Sequence, residues 1–256
     1  MIDCTIDDNV ATVTIDRPEV LNALDQASHE ALETIWQRLE RMPQLRAVVL
    51  TGRGERAFCV GADMKGAGVS GLDYWMSPRA NGFGNLALRT TLDVPVIGRV
   101  NGHALGGGLE MMLGCDIVVA ADHATFGLPE PRVGRLPLDG GMVLLQRQIG
   151  YRAAMGMMLT GRRIKAPQAL DLGLVNEIVP AAGLDAAVGR WVDDIRACAP
   201  LSLRAIKQTV RATARMAPEE ANAVAGTGII ACMTSQDGEE GVRAFLERRP
   251  PQWKGC

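Results

Sequence analysis

Apolar residues recur along the chain with two different periods, and each period predicts one type of element. Residues Val10–Ile15 (VATVTI) alternate branched and small side chains before a proline, which predicts a strand. From Asp25 to Met42, apolar residues recur at four-residue spacing, which predicts a helix that ends before Pro43. Three further apolar runs predict buried strands: Ala47–Thr51, Val94–Val100 and Ile117–Ala121. Because strands alternate with helices, we expect an α/β fold with parallel strands; the periods leave a doubly wound sheet, a barrel and a spiral open.

The pattern changes near residue 180. The following residues predict helices without clear strands, at 184–197, 200–215, 218–233 and 238–248. We therefore divide the chain into a core, residues 1–180, and a helical C-terminal region, residues 181–256. Within the core, Gly66–Asn85 fits neither period and predicts a mobile, partly apolar loop. Its aromatic residues Tyr74, Trp75 and Phe83 either form an apolar wall or anchor the loop to the body.

Composition and charge exclude several classes of function. Apolar residues make up 47% and charged residues 22% of the chain, so a core can form and a disordered protein is excluded. The formal net charge is only −2, which provides no field of one sign to hold nucleic acid or an anionic membrane. The six cysteines are scattered without a metal-binding spacing, and the N-terminus lacks the features of a secretion signal. We expect a cytoplasmic protein that has reduced thiols, no metal site and no membrane span.

A glycine-rich segment, NGHALGGGLEMMLGCD (residues 101–116), is the first candidate for chemistry. A predicted strand runs into Gly106–Gly108 and then into a short apolar helix. Bare N–H groups at a helix N-terminus favour an anion or a developing oxyanion. The same glycines also fit a tight turn or close packing of one backbone on another. In addition, the apolar turn Arg56–Lys65 could bring its own N–H groups to these glycines, which would provide two donors to one oxygen.

Two glutamates follow the glycines. Glu110 lies in the apolar start of the predicted helix, where its carboxylate is either stabilised by the helix end or buried at a cost. Glu130 lies between Pro129 and Pro131, whose rings restrict the backbone and hold the carboxylate in one direction. Both could simply be solvated. Two positioned carboxylates are nevertheless what activation of water coupled to proton delivery requires.

Four motifs give the sequence a family resemblance. FCVGADMK, NGHALGGGLE, FGLPEPRVGRLPLDGG and LTGRRIKAPQALDLGLVNEIV occur in the order seen in the crotonase (enoyl-CoA hydratase/isomerase) family, and the resemblance covers nearly the whole chain. It implies a spiral of ββα turns with a helical C-terminal trimerisation region. It also implies an acyl-CoA thioester substrate and a homotrimer or a dimer of trimers. No cofactor is implied, since coenzyme A is part of the substrate.

The resemblance also implies roles for individual residues. Ala62 and Gly107 match the two backbone donors of an oxyanion hole for the thioester carbonyl oxygen. The path of coenzyme A is lined by Ala62, Asp63, Met64, Lys65 and Gly107. Glu110 and Glu130 match the glutamates that hold one water in the hydratases, with Glu130 handling the α-proton and Glu110 the water. We therefore expect an enoyl-CoA hydratase, a reversible hydro-lyase. The segments PEEA and PQWKG resemble the carnitinyl-CoA dehydratase branch, which implies a short or polar acyl group.

Asp139, in the segment LPLDGG, departs from the pattern of simple hydratases, which usually have a small residue there. Dienoyl-CoA isomerases place an acid nearby, so Asp139 is a candidate third acid. The interpretation we favour is an N-cap for a helix that starts at Gly140. Two other functions remain open: an enoyl- or dienoyl-CoA isomerase that uses Glu130 and Asp139, and a non-catalytic acyl-CoA-binding protein. We assign structural roles to the remaining candidates, namely His103, His123, Cys59, Cys115 and the methionines 155, 157 and 158.

Overall fold

A computed structural model describes residues 1–63, 71–224 and 226–256. The strands are β1 (Ile2–Asp7), β2 (Val10–Ile15), β3 (Ala47–Gly52), β4 (Ala57–Cys59), β5 (Val96–Val100), β6 (His103–Leu105), β7 (Ile117–Ala121), β8 (Thr125–Gly127), β9 (Ile164–Lys165) and β10 (Glu177–Val179). The helices of the core are α1 (Gln26–Glu40), α2 (Gly71–Met76), α3 (Gly107–Met112), α4 (Gly141–Gln148), α5 (Tyr151–Thr160) and α6 (Ala166–Asp171). The C-terminal helices are α7 (Leu184–Ala197), α8 (Pro200–Thr213), α9 (Pro218–Asn222), α10 (Thr227–Met233) and α11 (Gln236–Glu247).

Two sheets organise the core. The larger sheet has the strand order β1-β2-β3-β5-β7-β10, in which β1 is antiparallel to β2 and the other neighbours are parallel. The smaller sheet has the order β4-β6-β8-β9, in which only the pair β8–β9 is antiparallel. The chain passes from β3 to β4, from β5 to β6 and from β7 to β8, and thus places one strand in each sheet at every turn. This repeat is a spiral of ββα turns, which the periods alone did not select.

Helix α1 shows how the local sequence leads into the core. Asp25 caps the helix, because its side chain accepts a hydrogen bond of 2.8 Å from the Ser28 N–H. Leu32, Trp36 and Leu39 recur on one face and are buried. The Trp36 indole N–H donates to the Gly84 carbonyl at 2.8 Å. This bond ties the helix to the segment that leads to the glycine-rich strand and helix.

The C-terminal region begins by packing on the larger sheet. Leu184, Ala187 and Val188 of α7 belong to one apolar cluster with Val49 and Val119 of the sheet. The boundary near residue 180 between core and C-terminal region stays a prediction. None of the described helices is both long and apolar enough to cross a membrane.

The long predicted elements lie where the periods placed them, and two predictions are wrong. The helix predicted over 218–233 is two helices, α9 and α10, because the chain leaves the helical conformation before Gly226, which has extended backbone angles. The loop predicted over Gly66–Asn85 contains helix α2 and a 3-10 turn at Phe83–Asn85. Residues 66–70 of that predicted loop lie outside the described residues.

Candidate active site

Two backbone segments meet at the start of α3. Gly106 has a φ of +55°, and a Cβ on Gly108 would lie 2.0 Å from the Cys59 carbonyl oxygen. Gly61 has a φ of +95°, and its Cβ would lie 3.0 Å from the Gly107 nitrogen. The glycines therefore permit both a tight turn and close backbone packing. That same packing brings the segment of Ala62 beside Gly107, which the sequence could only suggest.

The backbone N–H groups of this junction are oriented by neighbouring hydrogen bonds. The backbone N–H of Glu110 donates the first hydrogen bond of α3, to the Gly106 carbonyl at 3.0 Å. The N–H of Gly107 comes before this first bond and therefore has no acceptor within the helix. Ala62 forms an isolated parallel bridge with Leu24. In this bridge the Leu24 N–H donates to the Gly61 carbonyl, and the Asp63 N–H donates to the Leu24 carbonyl. The Ala62 N–H therefore points away from Leu24, since the residue at the centre of a parallel bridge directs its own groups to the other side.

Glu110 is buried in the first turn of α3, with 3% of its surface exposed. Its Oε1 accepts a hydrogen bond of 2.8 Å from the Gly141 N–H at the start of α4. Burial raises the pKa of Glu110 to about 8; the Gly141 bond opposes this shift, and the charges of Asp139 and Glu130 add to it. At neutral pH the Glu110 carboxyl therefore holds a proton.

Glu130 contacts the same junction at Gly106. It begins the 3-10 turn Glu130–Val133 directly after Pro129, so the preceding ring restricts its backbone as predicted. A Cβ on Gly106 would lie 3.0 Å from Glu130 Oε1, which places the carboxyl against the glycine turn. Its Oε2 is buried without a hydrogen-bond partner among the described residues, and burial raises the pKa of the group. This oxygen is available to a donor on a bound molecule.

Asp139 is not the helix cap that the sequence favoured. Gly140 is the N-cap of α4 and makes no side-chain cap, while the α4 N-terminus is bound by Glu110 through the Gly141 N–H. The Asp139 side chain is buried and faces α2 instead, where its Oδ2 accepts a hydrogen bond from the Tyr74 hydroxyl. Arg79 Nη1 lies 3.5 Å from the same oxygen. A tertiary contact has therefore replaced the local one.

The aromatic residues of the predicted loop divide into three environments. Phe83 is buried over the start of α3, where a Cβ on Gly107 would lie 2.3 Å from its ring, so it is a wall of the site. Tyr74 contacts Asp139 through its hydroxyl. Trp75 is exposed, and it packs neither on the site nor on the body among the residues that the structure describes. Sequence reasoning missed Arg79, and no motif or period links Arg79 or Tyr74 to an acid so far along the chain.

Comparison with known proteins places this geometry in a family. The family model described as enoyl-CoA hydratase/isomerase matches residues 5–256. The chain belongs to the enoyl-CoA hydratase/isomerase family. It is 36% identical to the carnitinyl-CoA dehydratase of Proteus mirabilis over 251 residues, which cover 96% of this chain and 95% of that protein.

Solved structures agree with this assignment. The enoyl-CoA hydratase of Bacillus anthracis matches with a TM-score of 0.91 and 31% identity, over 100% of this chain and 99% of that chain. The enoyl-CoA hydratase of Mycobacterium tuberculosis matches with the same score, identity and coverage. These similarities confirm the predicted crotonase-type α/β fold and its helical C-terminal region. This family member is an enzyme with a hydratase-like function.

The remaining candidate residues of the crotonase-family enzyme have mixed outcomes. Asp63 Oδ2 pairs with Arg17 Nη2 at 3.1 Å, which ties the predicted coenzyme A path to the body. Met64 and Lys65 lie outside the described residues. His103 Nδ1 lies 2.8 Å from Thr125 Oγ1, His123 Nε2 lies 2.9 Å from the Glu55 carbonyl oxygen, and burial raises the pKa of Cys59 to about 12.

These contacts fit the predicted structural roles of both histidines and of Cys59. Within the described ranges, no three His, Cys, Asp or Glu side chains are grouped to hold a metal ion.

Proposed function

We propose that this enzyme adds water reversibly across the α,β double bond of an enoyl-CoA thioester. The observation that carries the proposal is the pair of glutamates at the glycine-rich start of α3: Glu110 is buried in its first turn, and Glu130 lies against Gly106 with Oε2 buried and unpartnered among the described residues. Both carboxyls have raised pKa values, as acid–base catalysts at neutral pH require. Membership of the enoyl-CoA hydratase/isomerase family and the carnitinyl-CoA dehydratase relatives support hydration or its reversal.

The backbone donors supply the electrostatic part of the proposal. The N–H groups of Ala62 and Gly107 bind the thioester carbonyl oxygen and stabilise the negative charge that develops on it. Loss of one such donor in other enzymes costs roughly 3–4 kcal/mol of transition-state stabilisation. Asp63, Met64 and Lys65 follow Ala62 directly and extend the proposed path for coenzyme A. The Phe83 ring, which covers Gly107, keeps water from this oxygen.

The proton on Glu110 suits dehydration directly. Glu110 holds a proton at neutral pH and donates it to the departing hydroxyl as the C–O bond breaks. The Glu130 carboxylate removes the α-proton, and the electron pair of that C–H bond becomes the new double bond. Water and the enoyl thioester are the products, and the proton on Glu130 returns to Glu110 through solvent. Hydration is the reverse sequence, and neither direction transfers electrons to a cofactor.

Replacement of each glutamate by glutamine tests the proposal. Glu110→Gln and Glu130→Gln keep the size of the side chain and remove its titratable proton, so kcat should fall by about 10²–10⁴-fold. Loss of the conjugated enoyl-thioester absorbance measures turnover, and calorimetry with a non-reactive acyl-CoA should show retained binding. Glu219→Gln, at an exposed glutamate, is the matched control. Near wild-type turnover in either site variant would contradict the two-glutamate mechanism.

Double-bond migration in a dienoyl-CoA is the second candidate, because Asp139 is buried close enough to Glu110 to affect its pKa. Tyr74 and Arg79 both engage Asp139 Oδ2, which gives the buried carboxyl a structural role and so favours hydration over the isomerase. Asp139→Asn should be assayed on an enoyl-CoA and on a dienoyl-CoA. A large loss confined to the dienoyl substrate would establish the isomerase, whereas a non-catalytic binder would change neither absorbance.

A further inference from the structure

A polar cluster lies near Glu110 and consists of Tyr74, Arg79 and Asp139. The Tyr74 hydroxyl donates to Asp139 Oδ2, and Arg79 donates to the Tyr74 hydroxyl oxygen. The Arg79 guanidinium also lies 4.9 Å from the centroid of the Tyr74 ring. Arg79 Nη1 is 3.5 Å from Asp139 Oδ2, and only 6% of the Asp139 side chain is exposed. Tyr74 and Arg79 lie in residues 71–83, which we call the α2 segment, and both hold one buried carboxylate oxygen.

The turn that carries Asp139 also binds Glu110. The Asp139 carbonyl accepts a hydrogen bond of 3.3 Å from the Phe83 N–H, and two residues later Gly141 donates to Glu110 Oε1 at 2.8 Å. A Cβ on Gly82 would lie 2.4 Å from the Asp139 carbonyl oxygen, so the α2 segment packs directly on this turn. Residues 137–141 are therefore held between the α2 segment on one side and Glu110 on the other.

We propose that Tyr74 and Arg79 are positioning residues for Glu110. They hold the Asp139 carboxylate, which fixes the turn over residues 137–141 and directs the Gly141 N–H at Glu110. The inference rests on the proposed function, because it assigns these residues to the reaction of Glu110. Neither Tyr74 nor Arg79 exchanges a proton with the substrate.

The charge of Asp139 gives the cluster a second effect on Glu110. Three titratable groups interact electrostatically with the Glu110 carboxyl: Asp139 before α4, Glu130 in its 3-10 turn and Tyr74 on α2. Arg79 pairs with Asp139, and its charge also favours the neutral form of His29 on α1. Asp139 and Glu130 are both acidic, and each favours the protonated form of Glu110. Loss of the Asp139 charge should therefore lower the pH at which Glu110 ionises.

Kinetics of Tyr74→Phe and Arg79→Gln test the positioning role. Both variants should lower kcat on a short trans-2-enoyl-CoA by about 10- to 100-fold with little change in KM, because a displaced carboxyl slows the chemical step and leaves thioester binding intact. Tyr74→Phe keeps the ring and therefore preserves the packing of α2. The only other tyrosine of the chain supplies a matched control, Tyr151→Phe, and Arg152→Gln is the control for Arg79; both control residues are exposed.

A double-mutant cycle and a titration separate positioning from a general loss of structure. Tyr74→Phe should reduce kcat little further in an Asp139→Asn background, because the residue acts through Asp139. The carboxyl carbon signal of Glu110 in NMR should titrate near pH 8 in the wild-type protein and at a lower pH in Asp139→Asn. This titration requires no turnover.

The outcomes distinguish the inference from the proposed function. Wild-type kcat in Tyr74→Phe and Arg79→Gln, alongside an inactive Glu110→Gln, would overturn the positioning role and leave the hydratase proposal intact. A wild-type protein that hydrates no enoyl-CoA would overturn the hydratase proposal. An unchanged Glu110 titration in Asp139→Asn would overturn the link through Asp139 in either case.

Discussion

Glu110 is a residue at which the demands of catalysis and of stability conflict. Its pKa of about 8 keeps the carboxyl protonated at neutral pH, as the proposed dehydration requires. In the unfolded chain the same group ionises near 4.5. Below pH 4.5 both states hold the proton; between 4.5 and 8 only the folded state does. The free energy of unfolding therefore falls as pH rises through this interval.

Glu110→Gln should remove this pH dependence. Relative to the variant, the wild-type protein should lose up to about 1.4 kcal/mol of stability per pH unit between pH 4.5 and 8, and the two should run parallel above pH 8. Urea unfolding at a series of pH values measures the difference. Glu219→Gln, which replaces an exposed glutamate, should follow the wild-type curve. Parallel curves for wild type and Glu110→Gln over the whole range would show that Glu110 ionises normally in the folded protein.

At the scale of elements, the site depends on how closely α3 approaches β4. Gly108 lies in the first turn of α3, and a Cβ there would lie 2.0 Å from the Cys59 carbonyl oxygen. The contact is between two backbones, so no side-chain rotation can relieve it. The approach of these two elements sets the spacing between Gly107 and the segment of Ala62.

Gly108→Ala should therefore destabilise the protein and abolish turnover together, because α3 must move away from β4. Thermal unfolding and the enoyl-CoA assay measure the two effects. Gly156→Ala is the control: Gly156 lies within α5, and no described atom outside the local helix backbone lies within 4 Å of its Cβ position, so alanine should stabilise the helix by about 0.5–1 kcal/mol. A Gly108→Ala variant with wild-type stability and turnover would contradict the close packing of α3 on β4.

At the scale of the whole molecule, the C-terminal helices present apolar side chains on the surface of a single chain. Phe245 is 82% exposed and Met233 is 77% exposed. Other exposed apolar residues of α8, α10 and α11 are Ile206, Val210, Ile230, Val242 and Leu246. Apolar groups in such number indicate a surface that is covered by another protein chain. The resemblance to crotonases suggests further copies of the same chain.

The solution mass should accordingly be that of three or six protomers at micromolar concentration, as measured by light scattering. Phe245→Glu should reduce the mass, because a charge would be buried in the contact. Glu219→Gln should keep the wild-type mass. A monodisperse monomer of the wild-type protein would contradict the assembly.

Sequence alone determined the long periodic elements and the turn into α3. The strands β2 and β7 and the helix α7 have the predicted bounds, since each is long enough for its apolar period or apolar run to be recognised. The glycine run predicted a turn into a short helix, which α3 confirms. These features depend on neighbours within a few residues, where side-chain period and backbone preference act directly.

Only the tertiary structure decided which side chains meet. Short strands such as β4 have too few residues to show a period, and they form because a neighbouring strand pairs with them. Sequence left Glu110 equally compatible with a solvated helix start; packing of α4 against α3 buried it and raised its pKa. Asp139 had the chemistry of a local cap, yet it bonds to Tyr74, 65 residues away. Burial and contacts between distant residues depend on how the elements pack, and a local sequence pattern does not determine that packing.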